Sequence, residues 1–288
     1  MPARSSAPGA AFLLGEHAVV YDEPAVLLAV DRRATVTVES APDDDLPDSP
    51  YVREAIDRAR QRADETTPVR VKVKSDVPVG AGLGSSAAVT VATLHAAARE
   101  LGEPMGTETV AREAHVVERS VQGEASPADT YTSAMGGYVV VGGDERRRLD
   151  APDAEFVVGY DGGSAPTGEM VENVARLVDG NRVASDIVGS IGNLSRRGVE
   201  DVKNGDFEDL GDLMDMNQGL LDALGVSSSS LSRMVWAARD EGGNAKLTGA
   251  GGAGCVVAYP SDEPVREAVA EEAQDVYAVS PAQGVRAE

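Results

Sequence analysis

The sequence predicts an α+β protein of two domains, and three observations carry that prediction. Apolar and polar residues alternate at 34–39 (ATVTVE) and 69–74 (VRVKVK), the two-residue period of a strand with one face buried. Apolar residues recur at helical spacing in several longer stretches of both halves. In each half, strands are followed by mixed helix and strand, with no fixed-period repeat and no low-complexity segment. A length of 288 residues with 42% hydrophobic residues is enough for two ordinary cores.

The elements follow in order. Between the two alternating strands, Ser49-Pro50 supplies a cap and a proline at the first helical position, and Val52, Ile56 and Ala59 recur on one face. This is an amphipathic surface helix. A glycine-rich loop then leads into SAAVTVATLHAAARELG, ending at Gly102, which is apolar enough to belong in a core. Residues 107–122 form a further helix closed by Gly123, and short apolar runs occupy 137–142 and 155–160. The polar, turn-rich stretch between those runs, GGDERRRLDAPD, marks the boundary between domains 1–145 and 150–288. The second half reads as helices near 167–178, 184–203, 207–224 and 229–240, then a strand at 254–259.

A formal charge of −22 argues against nucleic acid or an anionic membrane surface as a partner, because phosphate binding needs clustered cations. No apolar run reaches the ~18 to 20 residues of a spanning helix, and Glu16 arrives too early for a signal-peptide core. A soluble, cytoplasmic protein is expected. Lys72, Lys74, Lys203 and Lys246 are the only lysines, against 22 arginines, a pattern that points to a high-salt cytoplasm. The single cysteine, Cys255, excludes an internal disulfide framework and a Cys-based zinc site. His95 and His115 lie in helices without a second His at i+4, and Trp236 belongs to no stacking platform.

Four segments carry candidate chemistry. PVGAGLGSSAA (78–88) places three glycines before two serines and a helix start, so successive N–H groups can converge on phosphate oxygens. It lacks the lysine of a Walker loop, and a plainer reading is a tight turn capped by Ser85 or Ser86. KLTGAGGAGCVVAY (246–259) is a second glycine-rich turn, and LLGEHAVVY (13–21) sets Glu16 and His17 between apolar runs. In ERSVQGEASPADTYTSAMGG, Glu118 and Asp129 lie eleven residues apart, where two carboxylates can hold magnesium and act as a base. Asp129 also fits a helix start with Ser126 as cap and Pro127 at the first position.

In this order and spacing, the segments resemble the GHMP kinase superfamily, and within it the archaeal type of mevalonate kinase. The resemblance covers nearly the whole chain, including NQGLLDALGVS at 217–227. It implies an N-terminal domain like ribosomal protein S5 domain 2, a C-terminal ferredoxin-like domain, and a homodimer as a family expectation. It implies that Pro78, Gly80, Ala81, Gly82, Leu83, Gly84, Ser85 and Ser86 wrap the ATP phosphates, while Ser86 and Glu118 hold Mg²⁺. Asp129 is then the catalytic residue at the 5-hydroxyl of mevalonate. Glu16, His17, Arg196 and Thr248 line the substrate site, with Arg196 matched to the substrate carboxylate.

Three positions depart from the family pattern. The N-terminal motif reads APGA rather than APGK, so Ala10 stands where a lysine normally neighbours the catalytic aspartate. Its absence raises the pKa of Asp129 and removes positive charge from the transition state. Asp22 replaces a glycine and Ala253 interrupts the last glycine run. Two alternatives stay open: a kinase of another small hydroxy acid, and a nucleotide- or isoprenoid-binding relative whose chemistry is attenuated at Ala10.

Overall fold

The computed structural model describes residues 2–123 and 125–288. A first sheet runs in the order β10-β1-β2-β4-β5, with β3 also paired to β2. Its strands are β1 (Ala3–Leu14), β2 (Ala25–Ser40), β3 (Val69–Ser75), β4 (Tyr138–Gly142), β5 (Glu145–Leu149) and β10 (Arg286–Ala287). The sixteen-residue β2 serves two partners on one edge, β4 along residues 25–28 and β3 along 34–40. Both alternating segments are therefore strands, paired antiparallel with each other.

Four helices cover this sheet: α1 (Pro50–Ala63), α2 (Ser85–Glu100), α3 (Thr107–Gln122) and α4 (Ala128–Met135). In α1 the Ser49 hydroxyl accepts from the Val52 N–H, and Val52, Ile56 and Ala59 are buried. They meet Val36, Val38, Leu94 and Val117 in one core. The apolar α2 is the central helix, as its composition requires.

A second sheet, ordered β7-β8-β6-β9, comprises β6 (Phe156–Tyr160), β7 (Asn244–Leu247), β8 (Cys255–Tyr259) and β9 (Asp275–Val279). With it pack α5 (Thr167–Gly180), α6 (Arg182–Asn204), α7 (Phe207–Ala223), α8 (Ser229–Asp240) and α9 (Glu263–Glu272). The two sheets share a core that joins Leu14, Leu28 and Val140 of the first to Phe156, Val158 and Val257 of the second. At that junction Tyr138, Phe156, Phe207 and Tyr259 contact one another at ring separations of 5.5 to 6.0 Å. Among the described residues, no helix is long and apolar enough to cross a membrane.

The boundary drawn from the sequence needs correction in two places. The stretch read as a polar linker contains β5, paired with β4 along its whole length. Its Glu and three Arg residues are exposed on an edge strand, where charge is the usual guard against further pairing, so no apolar alternation marks it. The C-terminal residues do not stay with the second half either: β10 returns to pair with β1. β1 itself escaped a strand assignment because all but one of its last eleven residues are buried, which removes the alternation.

Candidate active site

A cleft of about 530 Å³ opens at the N-terminus of α2 and is lined by four separate parts of the chain. The first is the loop from β3 into α2. Gly80, Gly82, Ala81, Gly84, Ser85 and Ser86 line the cleft, whereas Leu83 turns into the core and Pro78 is outside the lining. The helix begins after Gly84 with no side-chain cap, so its first N–H groups are left to an incoming anion. Neither serine caps the helix, and the Ser85 hydroxyl instead donates to the Val77 carbonyl at 3.3 Å. Gly82 is required sterically: it has φ +77°, and a Cβ there would overlap the Thr248 carbonyl oxygen.

The second part is the pair of carboxylates. Glu118, in the last turn of α3, is 4% exposed, and its Oε1 has no hydrogen-bond partner. Burial pushes its pKa up to about 7, the Asp129 charge adds to this, and the Ser86 hydroxyl opposes it. Asp129 sits in the first turn of α4, where Ser126 Oγ accepts from the Ala128 N–H at 3.4 Å, so it is both the acid of a helix start and part of the cleft lining. Burial also raises Asp129 to about 7, with the Glu16 charge contributing. A Cβ placed on Gly84 would lie 3.2 Å from Asp129 Oδ1 and 3.3 Å from the Ala10 Cβ. The missing lysine thus belongs to a position beside Asp129.

The third part is the turn after β1. Glu16 is 1% exposed and forms a buried ion pair with Lys246, whose Nζ also donates to the Leu247 carbonyl at 2.6 Å. Burial pushes Glu16 up and Lys246 down, each restrained by the other's charge. Glu16 Oε2 and Asn217 Nδ2 remain without partners. His17 Nε2 lies 3.0 Å from the Ala250 carbonyl, which only accepts, so Nε2 carries the proton and Nδ1 is left as an acceptor. Burial lowers the His17 pKa and keeps the ring neutral near pH 7.

The fourth part, the last glycine-rich turn, presents Gly249 and Ala250. Thr248 does not line the cleft: its hydroxyl accepts from the Phe12 N–H at 2.7 Å and ties β1 to the loop. Arg196 is also misplaced by sequence reasoning. It lies half-exposed on α6, ion-paired with Glu23 and bonded to Asn193 Oδ1, and is not part of the cleft lining. Among the described residues, neither Lys nor Arg lines the cleft.

Sequence reasoning missed the role of Lys246, although a signal existed. In a chain that uses arginine almost throughout, this lysine is fully buried while the other three are exposed. Tyr51 and Gln122 also line the cleft beside Ser86. No cluster of three or more His, Cys, Asp or Glu residues able to hold a metal occurs among the described residues. The unpartnered Glu118 oxygen and the adjoining Ser86 hydroxyl nevertheless fit a hard divalent cation that takes its remaining ligands from phosphate and water.

Residues 50–137 match the GHMP kinases N terminal domain, and residues 199–279 match the GHMP kinases C terminal domain. The chain belongs to the GHMP kinases. Within that family it is 40% identical over 277 residues to the mevalonate kinase of Methanothermobacter thermautotrophicus, 90% of each chain being covered. The mevalonate kinase of Pyrococcus furiosus is 38% identical, with 88% of each chain covered. The Methanococcus jannaschii mevalonate kinase structure superposes with a TM-score of 0.82 at 26% identity, over 96% of this chain and 97% of that one. The Leishmania major enzyme solved with R-mevalonate shares the fold, with a TM-score of 0.84 at 21% identity over 97% and 96%.

Proposed function

We infer that the protein is an ATP-dependent mevalonate 5-kinase. The observation that carries this reading is the convergence on one cleft of an uncapped helix N-terminus, two carboxylates, the buried Glu118 and the partly exposed Asp129, and the Glu16-His17 turn. The similarity to archaeal mevalonate kinases supports mevalonate as the acceptor.

In the proposed reaction the loop at 80–86 and the first N–H groups of α2 bind the ATP phosphates. Ser86 and Glu118 would hold magnesium, which would supply charge neutralisation on the phosphates. His17 Nδ1 is a free acceptor that orients a hydroxyl of mevalonate, beside the buried Glu16–Lys246 pair. Asp129 takes the proton of the 5-hydroxyl as its oxygen bonds to the γ-phosphorus and the bond to the β-phosphate bridging oxygen breaks, releasing ADP. Positioning and exclusion of water do most of this work. The composition supports a high-salt cytoplasm as the setting.

Ala10 favours a second reading, a binding protein with weakened transfer chemistry, because no cation among the described residues stands beside Asp129. Phosphate transfer from ATP to mevalonate, assayed in molar KCl with Mg²⁺, separates the two. The kinase reading expects turnover that Asp129→Asn abolishes. Tight ATP binding without product in the parent, together with turnover in Ala10→Lys, would establish the second reading instead.

A further inference from the structure

Helix α4 carries Asp129 at one end and is held at the other by residues from the far end of the chain. At eight residues it is shorter than the ~12 to 15 needed for an isolated helix to persist, so its position depends on tertiary contacts. Pro127, at its N-cap position, supplies no side-chain cap. Its C-terminal end is buried, and the last carbonyls there require donors.

Residues 281–285 supply one of these donors. After β9 the chain leaves the second sheet and crosses to the first, where Val285 N–H donates to the Ala134 carbonyl at 3.0 Å. Ala282 is bonded on both sides, its N–H to the Ala29 carbonyl and its carbonyl to the Gly137 N–H, both at 2.8 Å. The fit is backbone against backbone. A Cβ on Gly284 would overlap the Ala134 carbonyl oxygen, and one on Gly136 would overlap the Gly284 nitrogen. Arg33 of β2 secures the segment from the other side, donating to the Gln283 carbonyl at 2.7 Å and the Gly284 carbonyl at 2.8 Å.

We propose that residues 281–285 are a positioning clamp for Asp129, acting through the C-terminal end of the helix that bears it. A short helix behaves as a rod, so a shift where Ala134 meets Val285 reappears where Asp129 meets the acceptor hydroxyl. The clamp continues directly from β9, so the second sheet is coupled to the aspartate by covalent chain as well as by packing. This inference rests on the reading of Asp129 as the proton acceptor.

Two variants and two readouts test it. Gly284→Ala wedges the clamp away from α4, and Arg33→Met releases its outer side while Arg33→Lys retains a donor. Displacements of about 1 Å from productive geometry can cost about 10²-fold in rate. We expect Gly284→Ala and Arg33→Met to lower kcat by about 10- to 100-fold with the KM for ATP within about twofold, and Arg33→Lys to recover most of the loss. Hydrogen exchange should quicken at amides 130–137 while the amides of α2 keep their protection. Arg286→Gln, on β10 beyond the clamp, should leave both readouts unchanged.

An unchanged kcat in both clamp variants would overturn the proposal. So would a loss shared equally by kcat, KM and α2 protection, which marks general destabilisation. If Gly284→Ala does not fold, Arg33→Met decides. A parent inert toward mevalonate would sink the proposed function, while the exchange comparison would still settle whether the clamp holds α4.

Discussion

Ala10 and Asp129 face each other across Gly84, and this small gap sets the charge of the site. With no cation among the described residues beside it, Asp129 has a pKa raised to about 7 by burial and by Glu16. In the proposed reaction Asp129 accepts a proton and must be ionised, so kcat/KM should rise with pH and level off above about 7. Ala10→Lys favours the carboxylate and should move that limb to lower pH while raising kcat up to about 10²-fold, read from paired pH–rate profiles. The stability consequence has the opposite sign. Raised folded-state pKa values at Asp129 and Glu118 contribute stability below about pH 4 that is lost as pH rises through about 7. Without nucleotide and Mg²⁺, Tm should therefore fall across this window, and less steeply in Asp129→Asn. Lys246 poses the converse case. Lys246→Met leaves Glu16 buried and unpaired and should cost about 3 to 5 kcal/mol, measured by denaturant unfolding. Glu16→Gln combined with Lys246→Met should restore most of it, because no charge is then stranded.

The proposed nucleotide site depends on two loops packed without side chains between them. Gly82 of the α2 loop touches the backbone of Thr248 and Gly249, so the loop into α2 and the turn before β8 form one surface. Gly82→Ala meets both a left-handed φ and a backbone oxygen, which no rotamer can relieve. We expect the KM for ATP to rise at least about tenfold while thermal unfolding shifts by only a few degrees, since the loop lies at the cleft rim. A larger collapse in Tm would mean that the contact holds the two halves together as well. Elements in the body of the fold answer to simpler rules. The sequence spelled out α1, α2 and α3 through caps, apolar spacing and closing glycines, and α3 ends at Gln122 before Gly123 as read. β5, β9 and α9 were not legible, because short edge strands and exposed helices bury too little apolar surface to leave a pattern, and β7 was not because it is four residues long and buries a lysine between its apolar residues.

A charge of −22 spread over the whole molecule repels both the chain and its anionic substrates. The surface arginine–carboxylate pairs, such as Arg53–Asp48 and Arg233–Glu272, are solvated and screened and cannot offset it. At molar salt the Debye length falls to about 3 Å. Tm should therefore climb between about 0.1 M and about 2 M KCl, and the KM values for both substrates should fall; a flat response would remove the argument for a high-salt setting. The sequence by itself determined the α+β class, most helices, the glycine-rich loop before α2, and the pairing of Glu118 with Asp129 near one turn. All of these rest on local spacing, which a linear reading can see. Only the tertiary structure decided that Arg196 belongs to Glu23, that Thr248 ties β1 to a loop, that Lys246 neutralises Glu16, and that residues 281–285 grip α4. Most of these contacts join residues more than a hundred positions apart, and their partners are chosen by which buried polar groups the packed sheets bring within reach.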